Sequence, residues 1–362
     1  MLARLESVIR SNDMPPNLYL SMHWAGKLSN DEKQQILTWI AEENEKITND
    51  VTVTKSLKGE PVHPLPPIVD LDPDKVALGQ KLFHDPHLSG DETLSCASCH
   101  DLTKGGTDQA KVSTGIHGQK GGINSPTVYN AAYNVAQFWD GRAKDLTEQA
   151  AGPVENPIEM GAKWEAVIEK LKLVAEYQAA FAKLYPQENL TKATVTDAIA
   201  TFEQSLVTPN SRFDQYLRGN NNILNTNEKA GYDLFKENCI SCHFGVALGG
   251  KSFEKIGVKR DYFKLRSGKM TEADNGHFNF TKQEKDRYFF KVPTLRNVEQ
   301  TSPYFHDGSI SNLADAVRIM AKVQRDKNLS DDEVNKIVAF LKTLTGDYKG
   351  KSVIKLTKDD VN

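Results

Sequence analysis

The chain has 362 residues, of which 39% are hydrophobic and 26% are charged, so its length predicts two or three domains and its composition excludes wholesale disorder. Forty-five basic against forty-eight acidic residues give a net charge of -3, and no broad basic excess predicts nucleic-acid binding. No run approaches the roughly 18 apolar residues of a membrane span, and the N-terminus lacks the basic-then-apolar layout of a signal peptide.

The first predicted elements are a capped helix and a proline-rich segment. Ser29-Asn30-Asp31-Glu32 has the pattern of a capping box, which predicts a helix that continues past Ile36 to Ile40. Four prolines stand between Lys58 and Pro67. Because proline stiffens the backbone, this stretch predicts a linker, which we assign to residues 51–67.

The four cysteines form two Cys-x-x-Cys-His motifs. These motifs are Cys96-Ala-Ser-Cys99-His100 and Cys239-Ile-Ser-Cys242-His243. Such a motif is the attachment signature of c-type haem, in which both thiols bond the porphyrin and the histidine becomes the proximal iron ligand. A zinc site would need cysteine pairs acting together, a redox dithiol would need one pair near a βαβ pattern, and a disulfide in so short a loop would stabilise little. Two complete motifs therefore predict two c-type haems.

A weak internal repeat accompanies the two motifs. Gly79-x-x-Leu82-Phe83 precedes the first motif and Gly231-x-x-Leu234-Phe235 precedes the second, each expected to end a short apolar helix that packs on the haem. After the second motif, Ser330-Asp331-Asp332-Glu333 is a capping box that opens an amphipathic helix ending near Gly346. The apolar face of that helix comprises Val334, Ile337, Val338 and Leu341.

Helical periodicity also predicts a packed connecting helix between the two units, with Val195, Ile199, Phe202 and Leu206 on one face. Strand-like alternation is scarce. The predicted fold is therefore mostly α, with two cytochrome c-like helical haem domains, long loops and a short N-terminal helical segment.

Residues 68 to about 360 resemble the bacterial di-haem cytochrome c peroxidase family, which also contains the di-haem oxidase that matures a tryptophan-derived cofactor. Besides the haem motifs, the matching segments are Asn124-Ser125-Pro126-Thr127, Phe138-Trp139-Asp140-Gly141-Arg142-Ala143, Gly152-Pro153-Val154, Lys291-Val292-Pro293-Thr294-Leu295-Arg296-Asn297 and Pro303-Tyr304-Phe305-His306-Asp307-Gly308. The resemblance implies a low-potential, peroxidatic domain at 68–215, a high-potential, electron-transfer domain at 216–347, and a C-terminal tail at 348–362 that returns to the first domain.

The residues before the linker resemble the rear half of a c-haem-binding domain whose Cys-x-x-Cys-His is absent. Met14-Pro15-Pro16 precedes the predicted helix, and Met-Pro is a common distal-ligand context in small c-type cytochromes. We therefore assign residues 1–50 to a partial haem-domain-like segment. Whether it belongs to a longer tri-haem product or is a structural remnant stays open.

The resemblance also implies the sixth ligand of each haem iron. His117 lies in a glycine-rich loop 17 residues after His100, where the family places the removable ligand of its low-potential haem. Without the resemblance, the sequence is equally consistent with His117 being a surface histidine in a flexible loop. Met320 would ordinarily be a core residue of its apolar helix, but the family uses a methionine here for its electron-accepting haem. The cofactor-maturing oxidase carries a tyrosine at this position, so the methionine favours a peroxidase.

Three further residues take catalytic roles only through the resemblance. Glu159 falls where the family keeps the carboxylate that shuttles a proton during peroxide cleavage, and Gln149 falls where it keeps a distal amide. Trp139 matches the aromatic bridge between the haems, and it is equally compatible with an ordinary core tryptophan.

A calcium site is implied by the same resemblance. The family binds Ca²⁺ at the domain interface through one asparagine side chain and two backbone carbonyls, at positions that match Asn124, Thr301 and Pro303. Oxygen ligands with retained water suit Ca²⁺. The spacing of these three residues would not reveal the site by itself.

These interpretations predict a periplasmic di-haem cytochrome c peroxidase that reduces hydrogen peroxide to water. Electrons from a small cytochrome c or cupredoxin would enter at the second haem and pass by Trp139 to the first. The protein is expected to form a homodimer and to bind neither nucleic acid nor membrane. Two alternatives stay open: a di-haem electron-transfer cytochrome without a peroxide site, and a di-haem oxidase that acts on a protein substrate.

Overall fold

The computed structural model of the chain describes residues 9, 28–48, 60–66, 70–266 and 268–361. Within these ranges the chain is mainly helical with long loops, so the predicted fold class is confirmed. The helices are α1 (Asn30–Thr48), α2 (Pro73–Phe83), α3 (Cys96–Cys99), α4 (Leu146–Glu155), α5 (Trp164–Lys172), α6 (Ala175–Leu184), α7 (Lys192–Ser205), α8 (Arg212–Leu217), α9 (Thr226–Asn238), α10 (Tyr262–Leu265), α11 (Phe278–Thr281), α12 (Leu313–Arg325), α13 (Asp331–Lys342) and α14 (Lys358–Val361). Two antiparallel pairs hold the strands β1 (Phe253–Lys255) with β2 (Phe289–Lys291) and β3 (Asp347–Tyr348) with β4 (Lys351–Ser352).

The predicted capping boxes are present at both helix starts. At α1, the backbone N–H and hydroxyl of Ser29 donate to Glu32, whose own N–H donates back to the Ser29 hydroxyl. At α13, Ser330 and Glu333 make the same reciprocal bonds. These local contacts satisfy the free N–H groups of the first turn, which explains why the sequence alone locates both helix starts.

The predicted repeat corresponds to one helix pair that occurs twice. Helix α2 crosses α7 in the first half of the chain, and α9 crosses α13 in the second half. A glycine lies at each crossing, where a Cβ on Gly79 would stand 1.9 Å from the carbonyl oxygen of Ala198 and one on Gly231 would stand 1.9 Å from that of Lys336. Only glycine allows backbones to approach so closely, which is the physical reason for the repeated residue.

Aromatic rings pack at equivalent places beside both crossings. Phe83 meets Phe202 with 5.2 Å between ring centroids, and Phe235 meets Phe340 at 5.1 Å. All four rings are essentially buried. They stabilise each helix pair by apolar contact, edge-to-face between Phe83 and Phe202 and tilted between Phe235 and Phe340.

The two helix pairs belong to two hydrophobic cores. The predicted face of α7 is wholly buried in the first core, which also receives the end of the chain. The C-terminal residues buried there are Tyr348, Val353, Leu356 and Val361. The side-chain amide of Gln80 also donates to the Val361 carbonyl at 2.9 Å. The C-terminal tail thus packs against the first domain.

The described part of the proline-rich segment, residues 60–66, packs against the rest of the protein. In the described residues 60–66, Val62 and Leu65 are buried, and Val62 belongs to the second core. The Leu65 N–H donates to Asp214, which forms a fully buried ion pair with Arg296 at 2.8 Å. Because the bond from Leu65 to Asp214 spans 149 residues of chain, composition could not reveal it.

Two segments near position 215 pack in different cores. Phe213 and Leu217 of α8 pack in the second core, whereas Leu206 packs in the first. The domain boundary at 215 stays a prediction. Among the helices described, none has the length and apolarity needed to cross a membrane. Met14-Pro15-Pro16 lies outside the described residues.

Candidate functional site

The second haem motif opens onto a cavity of about 430 Å³. Cys239, Cys242 and His243 line one part of it, and Met320 reaches it from α12. Phe235, which ends α9, also lines this space. The structure thus places a thioether and an imidazole, the pair expected as axial ligands, around one apolar cavity next to two thiols, and these residues fit a covalently attached haem.

Each proximal histidine is oriented by a backbone carbonyl a few residues further along the chain. Nδ1 of His243 lies 3.1 Å from the oxygen of Leu248, and Nδ1 of His100 lies 3.4 Å from that of Gly106. Burial lowers the pKa of both imidazoles, that of His243 to about 4. A neutral ring whose Nδ1–H is held by a carbonyl leaves Nε2 free for a metal.

A Pro-Thr-x-x-Asn sequence occurs twice, at 126–130 and 293–297, and the threonine of each copy donates a hydrogen bond to the loop that contains one of those carbonyls. We call these two segments the bracing repeat. The Thr127 hydroxyl donates to the oxygen of Gly105 at 2.7 Å, and the Thr294 hydroxyl donates to that of Ala247 at 2.6 Å. Each acceptor directly precedes the residue that holds a proximal histidine. The repeat's asparagines, Asn130 and Asn297, both adopt φ near 60° and both donate to the Thr208 hydroxyl between the domains.

The four cysteines lie in described parts of the chain, and none is in a disulfide. Burial raises the pKa of Cys96 and Cys99, and it raises the pKa of Cys239 to about 12. Thiols with raised pKa values are unlike the low-pKa thiolates of a redox-active dithiol. The environment therefore fits haem attachment better than a reactive dithiol.

Burial is the main cause that raises the pKa of Cys99 in the first haem motif, and the charges of Asp108 and Glu159 add to it. The Glu159 carboxylate is half-buried in the turn after α4, and it accepts a hydrogen bond from the Asn156 side chain at 2.6 Å. Burial raises the pKa of Glu159, while the charge of Arg142 and the bond from Asn156 oppose that rise. Gln149 is half-buried on α4 itself, ten residues earlier.

The loop that carries His117 packs on the loop that carries Glu159. The Ile116 N–H donates to the Glu159 carbonyl at 2.7 Å, and a Cβ on Gly115 would stand 2.0 Å from the carbonyl oxygen of Ile158. His117 itself adopts φ +56°, its side chain is 70% exposed, and its Nδ1 lies 3.5 Å from Asp91. In this structure His117 therefore points to solvent, on a backbone that is strained for a residue with a Cβ.

Trp139 connects equivalent segments of the two domains. Its indole N–H donates to the backbone carbonyl of Asn124 at 2.9 Å, and its own carbonyl accepts from the backbone N–H of Lys291 at 2.9 Å. The indole lines the cavity and meets the rings of Phe290 and His306 edge-on, each at 6.4 Å between centroids. This position between the domains is compatible with the expected bridging role.

Arg266, Asp274 and Asp307 form a cluster of charged side chains around His306. In the described part of the chain, Asp274, His306 and Asp307 bring three potential metal ligands together. However, the buried guanidinium of Arg266 pairs with both carboxylates, and Nε2 of His306 lies 2.8 Å from Asp274. The arginine already supplies the positive charge that a cation would bring, so the cluster supports the His306 ring rather than a metal.

Comparison with known proteins agrees with this geometry. Family models described as di-haem cytochrome c peroxidase, cytochrome c and haem-binding domain match residues 73–222, 228–345 and 1–42. The chain is 47% identical to cytochrome c peroxidase Ccp of Escherichia coli (strain K12) over 96% of its own length and 74% of that protein. The chain belongs to the di-haem cytochrome c peroxidase family. The cytochrome c551 peroxidase of Nitrosomonas europaea is 48% identical over 80% of this chain and 85% of that protein.

A solved structure extends the family likeness to the fold. A MauG-like protein associated with microbial copper homeostasis superposes with a TM-score of 0.69 at 28% identity, covering 82% of this chain and 97% of that one. The match at residues 1–42 confirms that the N-terminal segment resembles a haem-binding domain.

Three features of this di-haem peroxidase site were missed by sequence reasoning. They are the bracing Pro-Thr-x-x-Asn repeat, the charge of Arg142, which lowers the pKa of Glu159, and the ring contact of His306 with Trp139. The repeat was visible as a second internal similarity, because Pro126-Thr127 and Pro293-Thr294 each follow a haem motif. The other two depend on contacts between distant segments, and they carry no local signal.

Proposed function

We propose that this protein reduces hydrogen peroxide to two waters at the first haem, with electrons that a small cytochrome c or cupredoxin delivers to the second haem. The observation that carries the proposal is the position of Glu159, a half-buried carboxylate with a raised pKa in the loop that packs on the loop of His117. The relatives named cytochrome c peroxidase support the same activity.

Haem iron supplies the electrons that break the O–O bond, and the protein must supply the proton movements. Glu159 takes a proton from the near oxygen of peroxide and returns it to the far oxygen, which leaves as water. Its raised pKa brings the carboxyl closer to neutrality, where it can act as both base and acid. The Asn156 side chain holds one carboxylate oxygen and so limits rotation of the group.

The two domains take different parts in this scheme. Met320 would hold the second haem through its thioether, which would raise the potential of that haem and suit the second domain to accept electrons. Trp139 then lies on the path to the first domain, since its hydrogen bonds join Asn124 to Lys291. Gln149, on α4, completes the distal side of the first haem in this proposal.

His117 is proposed to be the removable ligand of the first haem. The loop of His117 contacts the loop of Glu159 through backbone hydrogen bonding, so a conformational change in one loop would displace the other. The left-handed backbone of His117 and the glycines at 115 and 118 give this segment a route to a second conformation. Ligation would close the iron to peroxide, and release would open it.

Calcium is proposed to bind between the domains at Asn124, Thr301 and Pro303. All three residues line the same cavity, and Asn124 is nearly buried. The Asn124 amide donates to the carbonyl of Ala110 at 2.9 Å, which leaves its side-chain oxygen for a cation. We also propose a periplasmic location and a homodimer, which rest on the family resemblance.

Replacement of Glu159 by Gln tests the function. The variant keeps the size of the side chain but cannot exchange a proton, so we expect at least about a hundredfold lower peroxide turnover with both haems retained. The control is Glu155→Gln, because Glu155 makes an exposed ion pair with Lys192 at the end of α4. Turnover of Glu159→Gln within about twofold of wild type would reject this catalytic role and favour a simple electron-transfer cytochrome.

A further inference from the structure

Lys291 is a buried cation that has no anionic partner in the part of the chain that the structure describes. Its side chain is 6% exposed at the end of β2, and it lines the cavity that also contains His243 and Met320. Among the residues that the structure describes, no carboxylate forms an ion pair with its ammonium. Burial lowers the pKa of Lys291 to about 8.

An uncompensated ammonium in such a place costs several kcal/mol, so buried lysines normally pair with an anion or lose their charge. The cavity offers room for a partner, because Lys291 lines it and it is large enough to hold a cofactor. A haem brings two carboxylates of its own, the propionates.

The position of Lys291 in the fold identifies which part of the haem it would meet. Its backbone N–H donates to the carbonyl of Trp139, and it stands two residues before Pro293, a member of the bracing repeat. In the first domain, the equivalent position two residues before Pro126 is Asn124, which accepts from the Trp139 indole. Lys291 in the second domain and Asn124 in the first therefore hydrogen-bond to Trp139 from equivalent positions.

We propose that Lys291 binds a propionate of the second haem and holds that carboxylate beside Trp139. The ammonium supplies the hydrogen bonds, and the propionate supplies the missing negative charge. The pair directs the edge of the second haem toward the aromatic bridge. A cation held at this edge also stabilises the ferrous state relative to the ferric state, so Lys291 contributes to the high potential that Met320 establishes.

The test compares Lys291→Met with Lys255→Met in the holoprotein, after the content of two haems has been checked. Lys255 is a suitable control because it lies on the paired strand β1 with an exposed side chain. We expect Lys291→Met to weaken reduction of the second haem about tenfold, equivalent to a potential about 59 mV lower for one electron. The propionate bending bands in the resonance Raman spectrum should shift as well. Lys255→Met should change neither.

A further variant separates the ion pair from a structural role. Lys291→Arg keeps the charge, so it should keep the potential near that of wild type while it alters the propionate bands through a different donor geometry. If Lys291→Met does not assemble, Lys291→Arg against wild type decides the question by those bands. Propionate bands that are the same in wild type, in Lys291→Arg and in any assembled Lys291→Met would overturn the proposal. The proposal depends on haem attachment and not on peroxide turnover, so the failure of Glu159→Gln would leave it standing.

Discussion

Gly231→Ala is the change whose effect follows most directly from the geometry of the fold. Gly231 lies at the crossing of α9 and α13, where an added Cβ would stand 1.9 Å from the carbonyl oxygen of Lys336 and 3.0 Å from the Cβ of Phe340. Ordinary contacts begin at 3.4 Å. Because the clashing atom belongs to the backbone, no side-chain rotation relieves the overlap, and the two helices must separate.

Two opposing contributions set the size of the effect. Alanine is favoured over glycine in a helix interior by about 1 kcal/mol. Overpacking of a close-packed contact costs about 1–3 kcal/mol, occasionally more, and separation of the helices also weakens the contact between Phe235 and Phe340. We therefore expect net destabilisation of about 2 kcal/mol, which lowers Tm by roughly 5–10 °C.

Thermal unfolding of the holoprotein, followed by far-ultraviolet circular dichroism and by the absorption of the second haem, measures this effect in the second domain. Gly79→Ala should produce a similar loss in the first domain, where the contact with Ala198 is equally short. Gly122→Ala is the control, since nothing lies within 4 Å of its Cβ position. A Gly231→Ala protein as stable as wild type would refute the argument from the helix crossing.

The remaining predictions concern the haem ligands and a buried acid. Met320→His should lower the potential of the second haem, measured by spectroelectrochemistry, because imidazole replaces a thioether that favours ferrous iron; an unchanged potential would return Met320 to the apolar core. His117→Gly should make the oxidised enzyme bind cyanide quickly, and calcium chelation should lower turnover without loss of haem; fast cyanide binding by oxidised wild type would contradict the gating role. Glu203 is buried with its pKa raised to about 8 from 4.5, so it binds a proton in the folded state that the unfolded chain has released. The contribution of Glu203 to the free energy of unfolding should therefore fall as pH rises from about 4.5 to about 8. Glu203→Gln should remove this pH dependence, measured by denaturant titration at several pH values. If the free energy of unfolding depends on pH in the same way in both proteins, Glu203 does not make this contribution.

The sequence alone determined the features that depend on neighbouring residues. The haem motifs are contiguous because both thiols and the proximal histidine meet one porphyrin, and capping boxes join groups three residues apart. The apolar face of α7 follows from helical periodicity, and its four predicted residues are all buried. The sixth ligands of the two haem irons, His117 and Met320, and the calcium-binding positions were predicted only from the family resemblance.

Only the tertiary structure decided which distant segments meet. Local sequence pattern does not show that residues 60–66 pack on the second core, that the C-terminal tail packs on the first, or that the charge of Arg142 acts on Glu159. Lys291 shows the reason most clearly, because nothing in its neighbours along the chain predicts that its ammonium is buried against a cavity. Burial and electrostatic environment are sums over contacts from the whole fold, so they become known only when the helices and loops have been packed together.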